Sequence, residues 1–424
     1  MTDKDILPYS EFLNEEHHAI RDLIRDFATK EIAPKAQEVD RDARFPIETF
    51  KKLGELDMLG LIVDTEYGGT GADYRSYVIA VEEIARACGS TGLSYAAHAS
   101  LGTNPIKLFG TKEQKEKYLP KLCKGEYIGC WALTEPGTGS DASAQQTTAR
   151  LEGDHWVLNG TKQFITNATD AHVAIIMAMT DKSQGRKGIS SFIVEKDTPG
   201  FFISKVEKKM GMRGSPTASL TMEDCKIPKA NIIGEEGEGY KQALMTLEGG
   251  RLSIGALALG IGQAAFDAAL AYANQREAFG KPIGKHQFIQ GYLADMSTQL
   301  TAARLLLYHA AYMKDHGKRV TLEGSQAKLF ASEVATEVCN KSVQIHGGYG
   351  YIEDFPAERF LRDAKLCEIG EGTSEIQRLV IARQLGLKKR KLFQTTGQGV
   401  FQLRRLTFFH KTNFRQRTGA SFES

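Results

Sequence analysis

Apolar residues recur every three to four positions through roughly the first 128 residues, as in Ile20, Leu23, Ile24, Phe27 and Ile32, and again in Val78, Val81, Ile84 and Ala85. This is the spacing of one face of an α-helix, and glycines and prolines punctuate the gaps. From about Ile128 the period shortens to alternating or continuous apolar runs rich in Val, Ile, Thr and Phe. They predict strands over 130–134, 147–151, 156–158, 172–179, 190–194 and 218–222. Gly153-Asp154 and Asn159-Gly160 are expected to close hairpin turns. At Gly239 the helical period returns in four long segments, about 239–276, 286–316, 321–346 and 374–386. The expected fold is α+β and mostly α. An N-terminal helical domain (1–128) precedes a central β domain of barrel or sandwich type (129–238), a C-terminal four-helix bundle (239–387) and a tail (388–424).

Composition narrows the class without changing this layout. A chain of 424 residues exceeds what one hydrophobic core supports, in keeping with several domains. With 42% hydrophobic and 25% charged residues it reads as globular, and no apolar run is expected to approach the ~18 residues of a membrane span. The first residues lack the pattern of a signal or transit peptide, so a cytoplasmic location is expected, or the mitochondrial matrix in a eukaryote. Six cysteines are scattered with no C-x-x-C pair, which points to reduced thiols rather than zinc or disulfides. The net charge of +2 conceals an acidic body, because residues 388–424 carry nine Lys or Arg against the single acid Glu423. Phe401, Phe408, Phe409 and Phe414 interleave with them; an extension without structure and a nucleic-acid or membrane-surface tail both fit that composition.

Candidate chemistry sits at the junctions between elements. Gly137-Thr138-Gly139-Ser140-Asp141-Ala142 matches a dinucleotide fingerprint by letter, yet β-type segments follow it where the fingerprint requires a helix. It reads instead as a polar loop whose amides, with the hydroxyls of Thr134 and Ser140, suit a planar heterocycle and a phosphate. Phe164 and Thr166 end a β segment and offer a ring and a hydroxyl to a flat ligand. Arg276 begins a turn that leads to Gln287 at a helix start, and Gln344 to Gly350 forms a glycine-rich helix end. Glu371 lies between Gly370 and Gly372, just before a helix whose start is read as a capping box of Ser374 with Gln377. A carboxylate there serves either as a solvated turn residue or as a general base beside a flat ligand.

Taken in order and spacing, the stretches Leu133-Thr134-Glu135-Pro136-Gly137 through Asp141, 276–287, 344–350 and Glu371-Gly372-Thr373 resemble the acyl-CoA dehydrogenases, over about 13–387. The resemblance implies FAD. Trp131, Leu133, Thr134, Ser140, Phe164 and Thr166 would line its isoalloxazine and ribityl chain. Arg276, Phe279, Gln287, Gln344, Gly347 and Gly348 would meet its adenosine diphosphate across subunits, with Thr373 and Glu375 completing the site. Many relatives carry Trp where this chain has Phe164. The resemblance further implies that Glu371 takes the α-proton of an acyl-CoA thioester while flavin N5 accepts the β-hydride. It places Ser140, Leu101, Glu248, Arg251, Gly370 and Gly372 along the substrate. Some relatives carry the base on the first bundle helix, at the position that is Gly250 here. Gly370 stands where straight-chain relatives often have Tyr, which suggests short acyl chains of about four to five carbons, straight or branched, while the stretch around Leu93 to His98 resembles the isovaleryl branch. A homotetramer with an electron-transfer flavoprotein as acceptor is implied. An oxidase or monooxygenase on the same scaffold, and a helical protein binding nucleic acid through the basic tail, are the alternatives.

Overall fold

The computed structural model describes residues 12–387, so the basic tail and any nucleic-acid role for it lie outside the described residues. The first segment folds as α1 (Glu15–Phe27), α2 (Ala36–Arg41), α3 (Ile47–Glu55), α4 (Tyr74–Ala87), α5 (Gly89–Ala96), α6 (Asn104–Phe109) and α7 (Lys112–Cys123), with a π-helical stretch at Ala97–Thr103. Polar caps set the starts. Asn14 and His17 make a reciprocal capping box at α1, Thr111 and Gln114 another at α7, and Asp73 accepts from the Ser76 amide at α4.

After the sheet come α8 (Gly239–Gln275), α9 (Gln287–Asp315), α10 (Thr321–His346), α11 (Ala357–Ile369) and α12 (Ser374–Gln384). The described C-terminal helices thus number five, where the periodicity gave four. Helix α11 escaped because its buried positions, Ala357, Phe360, Asp363, Ala364 and Cys367, hold a single large apolar side chain. Helix α8 corrects another expectation: it contains an 18-residue stretch of mean hydropathy 1.5, as apolar as a membrane span by composition. Every residue from 249 to 262 is buried, which identifies α8 as a core helix covered on all sides. Its apolar residues share one continuous cluster with those of α1, α3, α4, α5, α9, α10 and α11. Across that core, Glu82 of α4 accepts hydrogen bonds from Arg304 (2.7 Å) and Tyr308 (2.8 Å) of α9.

Strands β1 (Gly129–Ala132), β2 (Thr148–Glu152), β3 (His155–Thr166), β4 (Val173–Met179), β5 (Ile189–Glu195), β6 (Phe201–Val206), β7 (Thr217–Pro228) and β8 (Ile232–Ile233) form one mixed sheet. Its order is β6-β7-β3-β2-β4-β5-β8, with β1 parallel to β4. All of β4 is buried and its two faces feed different apolar clusters, which is why it reads as an unbroken apolar run. Strand β6 is largely exposed and shows no alternation to read.

Gly153-Asp154 closes the β2–β3 hairpin as expected, between Glu152 and His155. Asn159-Gly160 does not make a turn. It lies inside β3 at a bulge, where Gly160 takes φ +143° and passes so close to Thr147 that a Cβ would come within 2.6 Å of its hydroxyl. The Asn159 side chain meanwhile bonds Asp224 on β7, accepting from its amide at 2.8 Å.

The Ala97–Thr103 stretch is seated on β1. His98 is fully buried, accepts from the Gly129 amide through Nδ1 and donates through Nε2 to the Leu122 carbonyl, and burial pushes its pKa down to about 4. It is a neutral structural histidine. A Cβ on Gly102 would lie 2.5 Å from the Gly129 carbonyl carbon, so the two backbones touch. Gly102→Ala is expected to lower unfolding free energy by about 1–3 kcal/mol through overpacking, measurable by urea denaturation of the purified protein.

Candidate active site

Helix α11 ends at Ile369, and Gly370 leaves it in an extended conformation, φ −68° and ψ 151°. Glu371 then takes φ +51° and Gly372 φ +93°. A glutamate in the left-handed region is strained, so the surrounding contacts must hold it there. They do so through the Gly372 carbonyl, which accepts from Lys328 Nζ of α10 (2.8 Å) and from Gln377 Nε2 of α12 (2.9 Å). The cap of α12 differs from the expected one: Thr373 is the N-cap, its Oγ1 accepting from the Ile376 amide at 3.3 Å, and Ser374 is the first helical residue. Gln377 is occupied with the loop carbonyls instead of closing a capping box.

The Glu371 side chain points at α8. Its Oε2 is buried and has no hydrogen-bond partner among the described residues. A Cβ on Gly250 would fall 1.9 Å from that oxygen and 3.6 Å from Leu101 Cδ2. Gly250 is therefore the space the carboxylate occupies. Burial pushes the Glu371 pKa up to about 7, against the opposing charges of Lys328 and Arg251. Arg251 is only 8% exposed, with an unpartnered Nε, and burial moves its pKa down. Glu248, one turn earlier on α8, accepts from the Thr321 hydroxyl at 2.5 Å.

The loop at 133–146 is sewn down by a buried ion pair. Lys162, on β3, donates to Glu135 Oε1 (2.7 Å) and Gln145 Oε1 (2.5 Å), while Glu135 also accepts from the amides of Gln146 and Thr147. Burial alone would push the Glu135 carboxyl up, but the Lys162 charge and these amides hold it below the usual range. Leu133 is buried, with its carbonyl bonded by Gln145 Nε2, and the Thr134 carbonyl accepts from the Gln163 amide. Trp131 and Thr166 are half-buried on β1 and β3, and Ser140 is exposed. No helix follows Gly139; β2 does. Beyond Gly137 and Gly139 a Cβ would meet nothing within 4 Å. Phe164 is 59% exposed at φ +60°, where β3 shifts register. An aromatic ring held out from a strained strand presents a flat apolar face to a ligand.

A second opening lies at the far end of α8. A cavity of about 450 Å³ is lined by Tyr272, Arg276, Ile283, His346, Gly347, Gly348 and Tyr349. Arg276 lies over the Tyr349 ring at 5.8 Å. Strands β9 (Glu277–Ala278) and β10 (Lys281–Pro282) form a small hairpin, with Phe279 (φ +52°) and Gly280 (φ +77°) at its tip. Phe279 is 96% exposed. Gln287 opens α9, Gln344 lies near the end of α10 and Glu375 in the first turn of α12, all three exposed. The structure thus gathers Leu101, Gly250, Arg251, Glu371 and Gly372 into one place, and Arg276, Gly347 and Gly348 into another.

Family models for the N-terminal, middle and C-terminal domains of acyl-CoA dehydrogenase match residues 14–126, 130–225 and 237–386. The chain belongs to the acyl-CoA dehydrogenase family. It is 50% identical over 373 residues to the short-chain specific acyl-CoA dehydrogenase of Clostridium acetobutylicum, covering 88% of this chain and 98% of that one. The structure of butyryl-CoA dehydrogenase from Megasphaera elsdenii superposes with a TM-score of 0.86 at 45% identity, over 88% of this chain and 98% of that chain. An acyl-CoA dehydrogenase of Bacillus anthracis complexed with FAD gives a TM-score of 0.84 at 38% identity, over 89% and 68% of the two chains. Acyl-CoA dehydrogenases are FAD-dependent flavoprotein oxidoreductases.

In this acyl-CoA dehydrogenase, sequence reasoning passed over Lys328, Gln377 as a loop anchor, and the Lys162–Glu135–Gln145 cluster. Lys328 did carry a signal: it falls on the buried stripe Ala327, Ala331 and Ala335 of α10, where an ammonium is out of place. The raised Glu371 pKa has a consequence for stability. In the unfolded chain the carboxyl ionises near 4.5 and in the folded protein near 7, so folding is favoured most at low pH and that contribution is lost as pH rises to about 7. Glu371→Gln is expected to raise the melting temperature relative to wild type at pH 8 and to leave it nearly unchanged at pH 4, as read by scanning calorimetry.

Proposed function

We propose that the protein converts a short-chain acyl-CoA thioester to the trans-2-enoyl-CoA, with Glu371 as the base that takes the α-proton. One observation carries this reading: a carboxyl with a buried, unpartnered oxygen and a pKa of about 7, lodged against the bare backbone of Gly250. The α-hydrogen of a thioester is weakly acidic. A carboxylate that titrates near the working pH removes it more effectively than a solvated one at 4.5. The unpartnered oxygen can receive the proton without first breaking a hydrogen bond. Glu248 and Arg251 are assigned to the thioester and pantetheine end of the substrate, Leu101 and Gly370 to its acyl chain, and Ser140 and Gly372 to its close approach.

FAD supplies the acceptor for the β-hydride when bound. The residues present fit such a group: an exposed Phe164 on strained backbone, open space beyond Gly137 and Gly139, and a cavity at Arg276, Gly347 and Gly348 of a size for a nucleotide. Trp131, Leu133, Thr134, Ser140, Phe164 and Thr166 would hold the ring system and ribityl chain. Arg276, Phe279, Gln287, Gln344, Gly347 and Gly348 would hold the adenosine diphosphate, with Thr373 and Glu375 beside it. The exposure of Phe279 and Phe288 supports a homotetramer in which a second copy covers them. An electron-transfer flavoprotein is assigned as acceptor.

Purified protein is expected to carry a flavin spectrum that bleaches anaerobically with butyryl-CoA, at a rate that rises with pH through about 7. Glu371→Gln is expected to keep the flavin and bleach about 10²–10⁴-fold more slowly; a variant bleaching at the wild-type rate would remove Glu371 from the role. Reduced flavin that persists in air after substrate addition marks a dehydrogenase, and rapid reoxidation an oxidase. Gly370→Tyr tests chain width: bleaching by isovaleryl-CoA is expected to slow more than bleaching by butyryl-CoA.

A further inference from the structure

Lys328 is 0% exposed, in the third turn of α10, with its ammonium against the loop that carries Glu371. Among the described residues the ammonium's one hydrogen bond is to the Gly372 carbonyl, at 2.8 Å. An ammonium has three donors and is costly to bury, so a site that leaves it one partner is held for another reason than packing. We propose that Lys328 is a positioning residue for Glu371: it fixes the loop through the Gly372 carbonyl and supplies one of the two positive charges that face the carboxylate. This rests on the reading of Glu371 as the base.

Apart from Arg251, the other charged groups around the pair are already engaged or neutral. Glu368 of α11 accepts from Lys365 at 2.8 Å and from Thr336 at 2.5 Å. Glu333 of α10 is bridged by Arg378 at 2.7 Å. Burial raises the Cys367 thiol to about 12 and moves the Tyr77 hydroxyl of α4 up as well, so both are neutral. On α8, Glu248 is bonded by Thr321, and Arg251 is a second cation facing Glu371. Burial pulls the Lys328 pKa down, and the attraction of the carboxylates Glu371, Glu368 and Glu333 opposes it. Lys328 and Arg251 thus share the task of limiting how far burial raises the base, but only Lys328 is tied to the loop.

Two variants separate charge from geometry. Lys328→Met removes both the charge and the donor; Lys328→Gln keeps an N–H donor without charge. In the flavin-loaded enzyme, the acid limb of anaerobic bleaching by butyryl-CoA is expected to move up by about one pH unit in each, slowing bleaching at pH 7 about fivefold. The same shift is expected without turnover, in an infrared titration of the protonated-carboxyl band that Glu371→Gln removes. If Lys328→Met does not fold, Lys328→Gln and the infrared midpoint decide. An unmoved acid limb and an unmoved midpoint in Lys328→Gln overturn the role of Lys328 and leave Glu371 as base. Bleaching at the wild-type rate in Glu371→Gln overturns the base itself.

Discussion

The candidate site depends on how closely neighbouring backbones approach α8. That helix is buried over every residue from 249 to 262, and its small residues let other elements touch its backbone: a Cβ on Gly260 would fall 2.3 Å from the Glu82 carbonyl oxygen of α4. At Gly250 the same lack of a side chain admits a carboxylate. Close packing tolerates no spare volume, so the gap and the group that fills it are one feature. The Glu82–Arg304–Tyr308 bonds and the continuous apolar cluster then fix α4, α9 and α10 around α8, and through Lys328 the loop between α11 and α12.

Two glutamates with buried carboxyl oxygens show how environment divides one residue type. Glu135 receives Lys162 and two backbone amides, and its carboxyl stays ionised below the usual range. Glu371 has an oxygen with no partner, and burial carries it to about 7. The first is a structural anchor beneath the 133–146 loop. The second is poised to exchange a proton.

Long periodic elements were legible in the sequence because burial on one face writes a pattern: α9 and α10 begin and end within a residue of their expected limits. Strand β6, exposed, and α11, built on small buried residues, wrote none. Asn159-Gly160 carried turn chemistry and became a bulge, since β7 pairs with β3 on both sides of it. At the site, Glu371 and the Arg276 to Gln287 and Gln344 to Gly350 stretches stood out as polar, glycine-rich junctions. What one chain position does not disclose is contact across the fold. That Gly250 and Glu371 share a volume, or that Lys328 reaches Gly372, follows only once α8, α10 and the loop are placed together.

The shared volume at Gly250 also bears on how such a site can change over generations. With the base proposed at Glu371, a carboxylate carried instead on α8 at position 250, the placement the family resemblance implies for some relatives, would be a second solution to one task. A glutamate acquired at 250 while Glu371 remains would crowd two carboxyl groups into one pocket, and loss of Glu371 first would leave no carboxylate at either position. Neither single step is neutral. The two arrangements are therefore separated by a barrier in sequence space, and the proposed position of the base is expected to be inherited as a lineage trait.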